Sequence, residues 1–218
     1  MKVQSAARSW AFGIMAFLAI MVEIYALAMY AIPSHIQEAP LVKGKGELPT
    51  LWYPVLWAHA ISSGLAITIG WLQFIKRLRV QKPNLNRAIG YVYACLIAIG
   101  GITGLYLSWY ADGGWLAATG FGVLSTLWMY TLYQGIVRIV VARDLAGHGR
   151  WMIRNYALTC AAITLRLYMP LAAILFGLSD PNDTFAVIAW LCWVPNLLVA
   201  ESLVARRPSV GSRKSYIQ

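Results

Sequence analysis

The chain has 218 residues, 60% of them hydrophobic and only 12% charged, with a formal net charge of +10. Soluble domains carry about 25% charged residues, so this composition excludes an ordinary soluble domain, and its hydrophobicity excludes disorder. The basic residues stand in short clusters between apolar runs, the pattern of membrane insertion rather than of nucleic-acid binding. The fold class that follows is all-α, a polytopic membrane helix bundle.

A spanning helix needs about 20 mainly apolar residues, and six stretches meet that need. Lys2 and Arg8 precede the first, 10–32. It is too long for the apolar region of a signal peptide and reads as a retained span, although Ala26-Leu27-Ala28 has the form of a cleavage site. A loop with His35, Glu38, Lys43, Lys45 and Glu47 leads to the second span, 52–75. Lys76, Arg77, Arg79, Lys82 and Arg87 then form a basic connection to the third, 88–110. The turn Ala111-Asp112-Gly113-Gly114 leads to the fourth, 116–142. Arg138, Arg143, Arg150 and Arg154 surround the connection to the fifth, 152–177. Ser179-Asp180-Pro181-Asn182-Asp183 leads to the sixth, 185–205, and the chain closes on a basic tail, 206–218, with Arg206, Arg207, Arg213 and Lys214. The expected organisation is an N-terminal segment 1–9, a six-helix domain 10–205 and that tail. Lys and Arg stay on the cytoplasmic side, which predicts both termini inside. Aromatic belts agree: Trp52, Tyr53, Trp57, Trp109, Tyr110 and Trp115 gather at one interface, and Trp10, Trp71 and Trp151 at the other. Cys95, Cys160 and Cys192 lie inside apolar runs without CxxC spacing. They read as packing residues, with no disulfide framework and no metal site predicted.

An ionisable side chain inside a span costs about 2.5–3.5 kcal/mol on insertion scales, faces the bundle interior and marks function by default. His59 lies two turns into the second span with Ser62 and Ser63 on its face, and reads as a haem or metal ligand, a proton carrier, or a neutral histidine bonded between helices. Arg166 lies midway along the fifth span. Pro170 offers no N–H to its carbonyl, which predicts a kink there. Arg166 reads either as a clamp for an anionic or carbonyl group or as the structural partner of Glu23, the acid at similar depth in the first span. Ser63 and Tyr168 join His59 and Arg166 as candidate cofactor contacts. In the sixth span Pro195 and Asn196 are expected to break the helix near mid-depth, and Glu201 to reach Arg206 or lipid headgroups. Arg87, His148, Arg150 and Arg154 form a candidate inner-face site for an anion or headgroup. Gly100 and Gly104 form a GxxxG pair that lets helices approach closely.

The second-to-third and fourth-to-fifth hairpins carry a weak parallel repeat. Asn86 corresponds to His148 at the same offset as Gly104-Leu105-Tyr106 to Arg166-Leu167-Tyr168.

Several of these residues form a recognisable series. It runs from His59 and Gly64 through Gly70-Trp71-Leu72-Gln73-Phe74, Arg87, Gly90-Tyr91-Val92-Tyr93, Gly100-Gly101 and Gly104-Leu105. It continues with His148, Arg150-Trp151-Met152-Ile153-Arg154, Tyr156-Ala157-Leu158-Thr159 and Thr164-Leu165-Arg166-Leu167-Tyr168. The series resembles the family called domain of unknown function 2306, over about residues 55–205. The resemblance implies a multi-pass protein of the bacterial cytoplasmic (inner) membrane with no assigned activity. One position departs from it: the family usually has Leu-His-Arg where this chain has Leu85-Asn86-Arg87.

Three functional readings follow. One is a non-catalytic assembly or sensing protein, whose partners are the bilayer, another membrane protein or further copies of itself, and not nucleic acid. The second is a redox protein holding haem b or a quinone near His59 and Arg166. It lacks a second intramembrane histidine for two-fold axial ligation, since His148 sits near the opposite face and His35 in a loop. The third is a small carrier or channel lined by Glu23, His59 and Arg166. Against it stands the want of a pair of interrupted helices flanking a midplane site.

Overall fold

In the computed structural model the described residues are 2–30, 42, 45–177 and 181–206. His35, Glu38, Lys43 and Asp180, and the tail from 207 on, lie outside them. The described residues are helical throughout, joined by turns. The helices are α1 (Lys2–Tyr30), α2 (Trp52–Gly70), α3 (Lys76–Gln81), α4 (Pro83–Ser108), α5 (Gly114–Val140), α6 (Leu145–Thr159), α7 (Ala161–Phe176), α8 (Pro181–Leu191) and α9 (Val194–Ala205). A tight 3-10 turn, Trp71–Phe74, extends α2.

Five helical stretches are long and apolar enough to cross a membrane: Gly13–Tyr30, Trp52–Phe74, Pro83–Ser108, Leu145–Phe176 and Thr184–Ala205. The stretch expected as a fourth span is a helix too. At 27 residues and about 1.5 Å per residue α5 has the length to cross. Its Ser125, Thr126, Tyr130, Thr131, Tyr133 and Gln134 dilute its apolar character, so it stands outside the five.

The boundaries move for local reasons. Pro83 takes the first turn of α4, where its missing N–H costs nothing, so Asn86 and Arg87 are helical rather than in a loop. Asp144 caps α6 by accepting from the Gly147 N–H at 2.8 Å. The helix therefore starts seven residues before the expected 152, and His148, Arg150 and Trp151 lie in its first turns.

Pro170 does not end its helix. Helix α7 continues through Pro170 to Phe176, and the interruption comes earlier, at Cys160, between α6 and α7. There the Ile163 N–H donates to the Cys160 carbonyl at 3.0 Å, an i to i+3 bond. The Thr164 hydroxyl donates to the same carbonyl at 3.2 Å, a back-bond that bends helices. A second interruption, at Cys192–Trp193, separates α8 from α9 immediately before Pro195. Pro195 has no N–H for the Leu191 carbonyl, which is where α8 ends. The two interruptions are tied together: Asn196 Nδ2 donates to the Cys192 carbonyl and to Thr164 Oγ1, both at 3.0 Å. The fifth and sixth apolar stretches are thus both interrupted, the sixth beside the expected Pro195.

Helix α2 packs most extensively on α4, α5 on both α6 and α4, and α1 on α2. The main core lies where α2, α4, α5 and α6 meet, around Ala66, Tyr93, Ile97, Trp128, Leu132 and Tyr156. A second cluster, Tyr30, Val42, Trp52 and Leu56, closes the end of the bundle that carries Asp112.

Candidate functional site

Helices α2 and α4 approach closely because Gly100 and Gly104 leave room between them. A Cβ on Gly104 would stand 2.9 Å from both His59 Cε1 and Ser125 Oγ; one on Gly100 would stand 2.8 Å from Ser63 Oγ. The GxxxG pair, read from sequence only as a packing motif, therefore seats His59. The imidazole Nδ1–H donates to the Gly100 carbonyl at 2.9 Å, with Thr103 Oγ1 at 3.3 Å. A carbonyl only accepts, so the proton sits on Nδ1 and the lone pair of the neutral ring on Nε2.

Beside His59 lies a cavity of about 260 Å³ between α1, α2, α4, α5, α6, α7 and α8. Its wall includes His59, Ser63, Ser125, Trp128 and Arg166, with Tyr30 and Trp52 nearer the Asp112 end. Ser62 turns back on its own helix, donating to the Ala58 carbonyl at 2.6 Å. Ser63 does not: among the described residues its hydroxyl is buried without a partner, as are Tyr30 Oη, Trp52 Nε1 and Arg166 Nε. At the mouth, Lys45 donates to Asp112 at 2.5 Å and to the Tyr110 carbonyl at 2.9 Å.

Arg166 and Glu23, one of the two readings from sequence, make no direct hydrogen bond or ion pair among the described residues. The Glu23 carboxylate is buried and neither oxygen has a hydrogen-bond partner among the described residues. Arg166 instead donates to the Ala162 carbonyl at 3.0 Å and stands over the Tyr25 ring at 5.2 Å, a cation–π contact. Tyr168, two residues on and so on another side of α7, packs against the main core and does not line the cavity.

The inner-face group divides. Arg154 holds Glu201 through two hydrogen bonds of 2.6 and 2.7 Å and lies over Trp151 at 4.7 Å. Glu201 thus pairs with Arg154 rather than Arg206. His148 Nδ1–H donates to the Gly135 carbonyl at 2.8 Å. Both bonds serve helix packing. Arg87 and Arg150 form no ion pair among the described residues.

One network escaped the sequence reading. Tyr93 Oη donates to Asn155 Oδ1 at 2.7 Å and lies 2.9 Å from Thr159 Oγ1, which also receives the Trp128 Nε1–H at 2.8 Å. Asn155 Nδ2 donates to the Trp128 carbonyl and to Thr131 Oγ1. Tyr156 Oη donates to the Ile67 carbonyl at 3.0 Å. These bonds lock α2, α4, α5 and α6 beneath the cavity floor. The signal was present, since the Tyr156-Ala157-Leu158-Thr159 run carries part of the family resemblance, but nothing in the run names its partners.

A haem held by two axial histidines does not fit here. No second histidine reaches the cavity among the described residues, because His148 is engaged with Gly135. The volume accommodates a ring-sized group. No group of three His, Cys, Asp or Glu side chains converges among the described residues.

A family model described as "Predicted membrane protein (DUF2306)" matches residues 56–204. His59, Ser63 and Arg166 fall inside the matched stretch; Glu23, Tyr30, Lys45 and Trp52 fall before it. No curated protein and no solved structure matches the chain.

Proposed function

The chain belongs to the DUF2306 family of predicted membrane proteins, and from that premise we propose that it is a six-pass helical protein that binds a small molecule in the cavity beside His59. In this reading α5 is the remaining span, carried by its neighbours rather than by its own hydropathy. Both termini and the basic α3 connection face the cytoplasm, in the cytoplasmic membrane of a bacterium. The distribution of Lys and Arg supports that orientation.

The observation that carries the binding reading is the cavity wall itself. Buried polar groups are nearly always hydrogen-bonded, and leaving one unpaired costs about 1–3 kcal/mol. Four residues of the cavity wall carry such a group, each atom shielded behind the lining, so a guest toward which these groups turn would satisfy them. The volume suits a single ring or short chain, which includes a quinone head group. Binding alone serves a sensing or assembly role as well as a redox one.

A carrier is the second reading, supported by the interrupted α6/α7 and α8/α9 pairs. Thr159, Ala161, Ala162 and Cys192, beside the two interruptions, line the same cavity, as discontinuous helices do in transporters.

The test is extraction. Protein purified in lipid nanodiscs is opened in organic solvent, and the released small molecules are compared by mass spectrometry with those from Ser63→Leu, which fills the cavity. A compound present with the wild type and lost from the variant is expected. Identical extracts from both refute the binding reading.

A further inference from the structure

We propose that the group held in this cavity is a carboxylate, borne on a small and otherwise apolar acid, with Arg166 as its counter-ion. The proposal rests on the binding reading above and gives the ligand its chemical class.

The argument begins with charge. Among the described residues the wall carries three formally charged side chains: Lys45, Asp112 and Arg166. Lys45 and Asp112 neutralise each other at the mouth. Arg166 remains. It has no carboxylate within ion-pair distance among the described residues, and Glu23 is not part of the wall. A guanidinium does not discharge itself by losing its proton; among the described residues this one bonds only to the Ala162 carbonyl, and a cation within the bundle is best repaid by a directly bonded anion. An anion placed in the cavity supplies that partner.

The hydrogen-bonding inventory points the same way. Arg166 Nε and Trp52 Nε1 can only donate; the hydroxyls of Tyr30 and Ser63 can donate as well. All four lack partners. The wall therefore asks for acceptor oxygens. A carboxylate brings two, with about four lone-pair sites and a charge opposite to that of Arg166, whereas an amide carbonyl brings one and no charge, and its N–H groups have only His59 Nε2 and hydroxyl oxygens to meet. The rest of the lining, Leu56, Phe121, Leu124, Trp128 and Leu165, suits an aromatic or short aliphatic body.

The experiment measures binding of benzoate, its neutral isostere benzamide, and menadione to the full-length protein in nanodiscs by calorimetry. Benzoate is expected to bind at least about tenfold more tightly than benzamide, the usual effect of a charge-assisted hydrogen bond. Arg166→Gln is expected to abolish that preference. Arg166→Lys keeps the charge and retains part of it, and a monodisperse elution profile with an unshifted melting temperature certifies that each variant is folded. Benzamide or menadione binding as tightly as benzoate overturns the carboxylate assignment while leaving a ligand cavity in place. Benzoate binding that survives in folded Arg166→Gln puts the anion elsewhere and overturns it too, as does the failure of all three probes to bind.

Discussion

Gly104 shows how a single methyl group decides between two opposing effects. Replacing a helix glycine by alanine ordinarily favours the helix by about 0.8–1 kcal/mol. At Gly104 the new Cβ would stand 2.9 Å from His59 Cε1 and from Ser125 Oγ, and forcing an extra carbon into a packed site costs about 1–3 kcal/mol. The crowding wins, so Gly104→Ala is expected to lower the melting temperature and displace the imidazole. Gly13, on α1, has nothing within 4 Å of such a Cβ, and Gly13→Ala is expected to be neutral or stabilising. Thermal unfolding of the two variants in the same detergent checks the contrast, and equal shifts would remove Gly104 from the account of how His59 is seated. Asn155 and Tyr93 illustrate the opposite situation, polar groups fully buried yet fully bonded. They act as structure, whereas Ser63 and Arg166 retain unused capacity on the cavity wall.

Among the elements, the two interrupted helices matter most. Hydrogen bonds between membrane helices average about 0.6 kcal/mol, with about 1.7 at most. Asn196 stands above that average because it holds a backbone carbonyl at its own break and Thr164 beside the other. Asn196→Leu is expected to cost about 1–2 kcal/mol, while Asn196→Gln, which keeps the amide, recovers part of it. Denaturant titration measures both; a silent Asn196→Leu would mean that each helix bends independently of the other. The two basic hairpins show a further correspondence. In the first, Gln73 Nε2 donates to the Asn86 carbonyl; in the second, His148 Nδ1 donates to the Gly135 carbonyl. Both bonds join residues 13 apart in the chain, and Asn86 and His148 are the positions matched by the weak sequence repeat. Asn86, the departure from the family pattern, still closes its turn, because the bond uses its backbone rather than its side chain.

For the whole molecule, the surrounding solvent is the controlling variable. Trp109, Trp115, Ile174 and Phe176 are all largely exposed on the bundle surface, which is costly in water and favourable in lipid or at its interface. The proposed threading predicts that reporters fused near Arg79, near Arg143 and at either terminus report the cytoplasm, and that one fused at Asp112 reports the opposite side. A reporter near Arg143 on the same side as Asp112 would mean that α5 does not cross. Neutralising Lys76, Arg77, Arg79 and Lys82 together is expected to weaken that orientation, since juxtamembrane basic residues set it.

Hydropathy is summed along the chain and needs no knowledge of what each residue meets. That is why lipid as the solvent, helix as the secondary structure and the approximate limits of the apolar stretches were legible from sequence, as was the short list of ionisable groups requiring company. Pairings are a different kind of quantity. They depend on which helix faces come together and at what depth, as when His59 meets a carbonyl 41 residues away and Tyr156 one 89 residues away. Only the tertiary structure decided that Arg154 holds Glu201, that Arg166 leaves Glu23 unbonded, that Cys160 rather than Pro170 interrupts the fifth apolar stretch, and that two glycines open the space in which His59 and a ring-sized cavity sit side by side.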